Sequence, residues 1–213
     1  TYTDRWGRYN LFFDNNGQPG VYLKEASKTD YNNGLRPISV FNHPKFMQLY
    51  SIGTPSIDET EEEFPVMDFD IPMEVGAGAF NILDVLVDGS DLIRRMTGAD
   101  LGEIRAFWAT GADTTETLYC SQSLYESGLC PELGGVNIQG KDIDRDEYDD
   151  MIILKEFFKL VLDRVSNDSN PSGLHDGTRD DPRRAWSEGV TTFFACAVMK
   201  SSYFVNSRPS CVY

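Results

Sequence analysis

The sequence predicts an α+β fold, in which a helical core with a small sheet follows a β-rich segment. Short strand-like runs separated by turn residues occupy the first part of the chain, and amphipathic or apolar helical stretches follow. Apolar residues make up 40% of the 213 residues, enough for one sizeable core. We therefore expect a β-rich segment over residues 1–50 and an α+β domain over residues 51–213.

The β-rich segment reads as two strands, over residues 8–13 and 21–24, joined by a turn rich in Asn, Gly and Pro. Residues 3–9 (TDRWGRY) resemble a strand and turn inside small β-sandwich repeats of secreted proteins. On that resemblance the sandwich is incomplete and its edge strand lacks a neighbour. An open strand edge pairs with other strands, so we expect contacts with other protein chains or with copies of this chain at this N-terminal edge.

The middle of the chain predicts a helix, two strands and a long loop. Apolar residues recur at helical spacing over residues 78–98, and two arginines lie near the end of that stretch. Residues 104–108 and 134–138 favour strands, and residues 111–135 favour a long loop that spans Cys120 and Cys130. These elements supply the small sheet of the predicted α+β domain.

The four cysteines are Cys120, Cys130, Cys196 and Cys211, with no spacing typical of a zinc or redox motif. An even number of cysteines in an acidic chain favours a secreted or cell-surface protein with up to two disulfides. The sequence leaves their pairing open, although a Cys120–Cys130 bond could close the loop over residues 111–135. The alternative is a cytosolic protein with four buried thiols.

The net charge excludes several classes of partner. The chain has 19 Lys and Arg against 34 Asp and Glu, a formal charge of −15, which repels nucleic-acid phosphates and anionic lipid surfaces. It contains no apolar run of about 18 residues, so we expect no membrane insertion. Partners are therefore expected among proteins.

Residues 151–166 predict a helix that is apolar around most of its circumference and carries Lys155 and Lys159 on one stripe. Two ammonium groups one helical turn apart repel each other, and their burial is costly unless acidic groups pair with them. The sequence leaves two arrangements open. Either a carboxylate lies opposite the lysines, or both side chains extend to water past their apolar stems.

A second helix is predicted to begin after Asp181. Asp181 is a good N-cap residue, Pro182 suits the first helical position, and residues 190–199 are mostly apolar. Glu188 and Gly189 lie in its second and third turns. For Gly189 we expect either close helix packing or a role in substrate access.

Several blocks in this region resemble one family. Residues 146–159 (DEYDDMIILKEFFK) are similar to the D-E-Y-D-D-x-x-I-L-H-E-F-G-H segment of secreted bacterial zincin-type (gluzincin-like) metallopeptidase-like proteins. Residues 173–177 (GLHDG) and 181–194 (DPRRAWSEGVTTFF) are similar to two further stretches of that family, as are residues 78–86 to its preceding helix. The resemblance implies a zincin-like helical core over about residues 70–205.

The resemblance also implies a zinc site, from which this sequence departs. In HExxH, two histidines bind zinc and the glutamate is the general base, while a second helix gives a third ligand. Carried over, Lys155 and Lys159 occupy the histidine positions, Glu156 the base position and Glu188 the third-ligand position, with His175 as a residual polar group. A lysine ammonium has no lone pair for a metal. We expect no metal, no cofactor and no catalytic residue, and instead ion pairs from the lysines to Glu188 and Glu156.

The sequence therefore predicts a catalytically inactive zincin-like domain that acts as a structural or binding module of a secreted or cell-surface assembly, for example a self-associating extracellular fibre. The alternative is an active metal-dependent peptidase or hydrolase with a rearranged site built from Glu156, His175 and Glu188.

Overall fold

The computed structural model describes residues 20–29, 37–54, 57–58, 68, 70–73, 76–114, 116–167 and 181–207. The described residues form helices and small mixed sheets, which confirms the α+β class. The chain divides into two compact units. One comprises Thr1–Glu25 with Ile52–Asp70, and the other Ala26–Ser51 with Ile71–Tyr213. The strand expected over residues 8–13 lies outside the described residues.

The first unit contains a short antiparallel ribbon. Strand β1 (Gly20–Val21) pairs with β5 (Ile57–Asp58), and Leu23 and Thr54 bond to each other through both main-chain and side-chain groups. Strands β2 (Lys24–Ala26) and β4 (Ser51–Gly53) form another two-stranded sheet.

The main sheet belongs to the second unit and has the strand order β3-β6-β8-β7. Its strands are β3 (Ile38–Phe41), β6 (Ile104–Phe107), β7 (Leu118–Tyr119) and β8 (Val136–Asn137). Strands β3, β6 and β8 are parallel to one another, and β7 is antiparallel to β8. Strand β3 falls inside the predicted β-rich segment 1–50, but its pairing with β6 makes it part of the second unit's sheet. Strands β9 (Gly140–Lys141) and β10 (Asp144–Arg145) form a separate hairpin.

The outer edge of β3 is bonded to nearby chain. Val40 N–H donates to Ser27 O and Thr29 N–H donates to Ile38 O, both at 2.8 Å. Farther along, Asn42 N–H donates to Gln48 O at 2.9 Å. These bonds cover the polar groups that an edge strand otherwise exposes.

Four helices occur among the described residues: α1 (Ala77–Thr97), α2 (Gln122–Glu126), α3 (Asp150–Val165) and α4 (Pro182–Met199). Helices α1, α3 and α4 agree with the predicted stretches to within a residue or two. Most of α3 is buried, including Leu154, Phe157 and Leu160, as its apolar circumference predicts. Helix α1 approaches α3 closely at Gly89, where an added Cβ would lie 2.8 Å from the Phe157 ring.

Cys120 and Cys130 form a disulfide, which closes part of the predicted loop around β7 and α2. Cys196 is half-buried on α4 and forms no disulfide among the described residues. Cys211 lies outside them, so a second disulfide stays a prediction. No described helix has the length and apolarity that crossing a membrane requires.

Candidate functional site

Helices α3 and α4 pack against each other and bring their charged residues together. The Phe158 ring on α3 stacks on the Phe194 ring on α4, with centroids 5.1 Å apart. Helix α4 begins as predicted, because the Asp181 side chain accepts a hydrogen bond from Arg183 N–H and Pro182 occupies the first turn. This start fixes the register in which Glu188 faces α3.

Four side chains form one group, which we call the Lys–Glu cluster: Lys155, Glu156 and Lys159 from α3, and Glu188 from α4. Lys155 Nζ lies 2.6 Å from Glu188 Oε2. Lys159 Nζ lies 2.7 Å from Glu188 Oε1 and 2.9 Å from Glu156 Oε1. Glu188 therefore binds a different lysine with each carboxylate oxygen, and Lys159 bridges the two glutamates.

The remaining oxygen of the cluster is bound by the sheet. Glu156 Oε2 accepts a hydrogen bond of 2.9 Å from the backbone N–H of Tyr119 in β7. Successive amides of a strand point to opposite sides. Because Cys120 N–H donates to Gly135 O on the β8 side, the Tyr119 amide points away from β8. The Tyr119 hydroxyl donates to Asp163 Oδ2 of α3 at 2.6 Å. Two hydrogen bonds thus join Tyr119 of β7 to α3, and one of them is accepted by Glu156 of the Lys–Glu cluster.

The cluster is largely removed from water. The side chains are 21% (Lys155), 16% (Lys159), 7% (Glu156) and 19% (Glu188) exposed. The two positive and two negative charges balance, which is the arrangement that makes such burial tolerable. Of the two arrangements that the sequence leaves open, extension of both lysines to water is wrong, because both ammonium groups contact carboxylates.

Ion pairing in the cluster opposes the effect of burial on two pKa values. Burial alone would lower the pKa of Lys159, but attraction and hydrogen bonds from Glu156 and Glu188 outweigh burial and hold this pKa above its ordinary value. Burial alone would raise the pKa of Glu188, but Lys159 and Lys155 bring it down to about 2. Both groups are therefore charged at neutral pH.

The donor set of the cluster does not fit a zinc ion. All four carboxylate oxygens of Glu156 and Glu188 already accept from Lys155, Lys159 or the Tyr119 amide. The lysine ammonium groups, which the sequence resemblance aligns with the HExxH histidines, offer no lone pair. The described ranges contain no group of three or more His, Cys, Asp and Glu side chains that could hold a metal. His175 lies outside those ranges.

Sequence reasoning identified four of the five residues in this arrangement and missed Tyr119. The lysines and glutamates are marked by their helical spacing and by the family blocks. Tyr119 contributes only a backbone N–H, which every residue except proline has, so its side chain gives no signal. Its role depends on where a two-residue strand pairs, and the sequence around it shows only the loop that contains Cys120.

Neither a scan against models of known protein families nor a search of curated proteins finds a match for this chain. The resemblance to zincin-type proteins therefore rests on the sequence blocks at residues 146–159, 173–177 and 181–194.

Proposed function

We propose that this chain is a catalytically inactive zincin-like domain, in which the Lys–Glu cluster takes the place of a metal centre, and that it acts as a structural or binding module. The observation that carries the proposal is the bonding of the carboxylates. Every oxygen of Glu156 and Glu188 already has a lysine or backbone partner within the domain.

The proposal is supported first by the state of Glu156. A general base must reach a water molecule or substrate proton with a carboxylate oxygen. In this domain one oxygen of Glu156 binds Lys159, the other binds the Tyr119 amide, and the side chain is 7% exposed. Glu156 therefore holds β7 against α3 and is poorly placed to accept a proton from a substrate.

Charge balance supplies the second support. In a zincin-type site a dication neutralises the ligand carboxylate and the base carboxylate. In this domain the ammonium groups of Lys155 and Lys159 supply the same two positive charges to Glu156 and Glu188, at N–O distances of 2.6–2.9 Å. The contacts between α3 and α4 that a metal would provide are then provided by ion pairs.

The alternative of a rearranged catalytic site gains no support from the described residues. It requires Glu156 and Glu188 as ligand or base, and both are engaged by lysines. Its third member, His175, lies outside the described residues, so the proposal keeps to the non-catalytic function.

We assign the domain to a secreted or cell-surface assembly on the basis of chemistry. The Cys120–Cys130 disulfide is typical of oxidising compartments, and no described helix is suited to cross a membrane. Proteins are the expected partners, including other copies of this chain, because the charge of −15 disfavours nucleic acid and anionic lipid. The N-terminal strand edge expected to bind them lies outside the described residues.

The test compares metal binding by the wild-type protein with that of a restored site. Mass-spectrometric metal analysis of the purified wild type should find well below one zinc per chain, and added zinc should leave its unfolding temperature unchanged. Lys155→His with Lys159→His recreates HExxH beside Glu188 and should bind zinc by calorimetry. Lys155→Met with Lys159→Met removes the same charges without adding ligands and is the matched control. Tightly bound stoichiometric zinc in the wild type, or zinc-dependent peptide hydrolysis by it, would overturn the proposal.

A further inference from the structure

The outer face of α4 has no charge along most of its length, although a quarter of the chain's residues are charged. Between Ala185 and Met199 the only charged residue is Glu188, which turns inward to Lys155 and Lys159. Every fourth residue on the outer face is exposed, and we call this row the α4 ridge: Ala185, Gly189, Phe193 and Ala197.

Two aromatic side chains make this face apolar as well as uncharged. Trp186 is 56% exposed and Phe193 is 64% exposed. Phe193 also has a defined position, because its ring contacts Phe194 edge-on at 5.5 Å and Phe194 in turn stacks on the buried Phe158. A held aromatic ring loses little side-chain entropy when a partner covers it.

Gly189 makes a gap in the same face. A Cβ added at Gly189 would meet no atom within 4 Å in the described part of the chain, so this glycine does not serve packing against the described residues. The expectation of close helix packing at Gly189 is therefore wrong for the described helices. The gap lies one turn before Phe193, so the ridge alternates small and large side chains.

We propose that the α4 ridge is the contact surface of a symmetric homodimer, in which two α4 helices cross antiparallel. The two-fold axis passes halfway between Gly189 and Phe193, which lie one turn apart. Phe193 of each copy therefore lies over Gly189 of its partner. Ala185 and Ala197 are brought opposite each other by the same register. Such packing of rows spaced four residues apart is the commonest way in which helices cross in globular proteins.

The charge distribution favours a second copy of this chain at this surface. Two molecules of charge −15 repel over most of their surface, and the α4 ridge lets them meet without opposing like charges. Rows spaced four residues apart pack at a crossing angle of about 50°, so the helix ends diverge and the charges of Asp181 and Lys200 stay outside the uncharged contact.

The size of the surface predicts a weak dimer. Large aromatic side chains present roughly 200 Å² each, so the exposed parts of two Trp186 and two Phe193 would bury roughly 500 Å². The alanines and the flanking residues of α4 add to this, but the total stays below the lower limit of about 1,200 Å² for stable interfaces. We expect association in the micromolar range or weaker. The dimer goes beyond the proposed function and holds whether or not the domain is catalytic.

The test is sedimentation velocity on the oxidised protein from about 1 μM to about 1 mM, a range that brackets the affinity expected of so small an interface. The wild type should shift from monomer to dimer as its concentration rises. Gly189→Glu places bulk and charge under the partner's Phe193 and should weaken the dimer at least about tenfold. Met96→Glu adds the same charge at an exposed position on α1 and is the matched control, which should dimerise like the wild type.

The Gly189→Glu variant should remain folded, because its side chain enters open space and glutamate is a better helix former than glycine. Circular dichroism and urea unfolding check this at low concentration. A wild type that stays monomeric throughout the range would overturn the proposal. So would a dimer that Gly189→Glu leaves intact, since another surface would then hold it. Metal content affects neither readout, so failure here is distinct from failure of the proposed function.

Discussion

Glu188→Gln is the substitution that tests the Lys–Glu cluster most directly. It removes one of the two negative charges and keeps nearly the same shape, so Lys155 loses its carboxylate partner in the cluster and Lys159 keeps only Glu156. At neutral pH we expect the free energy of unfolding to fall by about 2–4 kcal/mol, the range for an unpaired charge in a mostly buried pair, reduced because Glu188 is 19% exposed.

The lowered pKa of Glu188 corresponds to a similar magnitude. The lysines lower this pKa from 4.5 to about 2, and one pKa unit corresponds to about 1.4 kcal/mol, which gives about 3 kcal/mol. A carboxylate whose pKa is lowered in the folded state contributes its full stabilisation at pH values above its unfolded-state pKa. The stabilisation is lost as the pH falls towards the folded-state pKa. The difference between wild type and variant should therefore shrink as the pH falls from about 4.5 to about 2.

Urea unfolding of both proteins at pH 7 and at several acidic pH values measures this difference. Asp91→Asn is the control, because it removes a surface carboxylate that is 31% exposed and lies 3.0 Å from Arg94, and we expect it to cost less than about 1 kcal/mol. The reasoning is refuted if Glu188→Gln costs no more than Asp91→Asn at pH 7. It is also refuted if the cost of Glu188→Gln does not change with pH.

Two further predictions concern packing and covalent linkage. Gly89→Ala should lower the free energy of unfolding by about 1–2 kcal/mol, because its Cβ would lie 2.8 Å from the Phe157 ring. Gly189→Ala should raise the free energy of unfolding by about 0.5–1 kcal/mol, because alanine has the better helix propensity and its Cβ meets no described atom. If urea unfolding shows that both substitutions stabilise the protein, or that both destabilise it, this account is contradicted. Cys120→Ser with Cys130→Ser should cost about 2–3 kcal/mol, the value for a short closed loop, and reductant should destabilise the wild type but leave the double variant unchanged.

The helices could be predicted from the sequence because their signals are local. Apolar spacing marks α1 and α3, and Asp181 with Pro182 marks the start of α4. The lysine pair on an apolar helix predicted acidic partners as one of two arrangements, and Glu188 and Glu156 are the partners found. The helix signals lie within a few turns of each other, whereas Glu188 lies on a different helix from the lysines and was identified by the resemblance of residues 181–194.

The main sheet was harder to predict because its pairings are non-local. Strands β7 and β8 have two residues each, too few to show a period, and β3 pairs with β6 across the whole of α1. The boundary expected at residue 50 consequently separated β3 from the sheet that contains it. The contact between Tyr119 N–H and Glu156 depends on these pairings, so no local pattern announces it.

The bond between Tyr119 N–H and Glu156 has a consequence for aggregation. A strand that added to β7 would need this amide, and it could take it only by displacing a carboxylate that is 7% exposed and paired with Lys159. The opposite edge of the sheet, β3, is also covered. Ser27 O accepts from Val40 N–H in β3, and Gln48 O accepts from Asn42 N–H just after it. Among the described residues, growth of the main sheet from molecule to molecule therefore requires breaking native bonds first, which protects a small sheet from the edge-to-edge association that leads to amyloid.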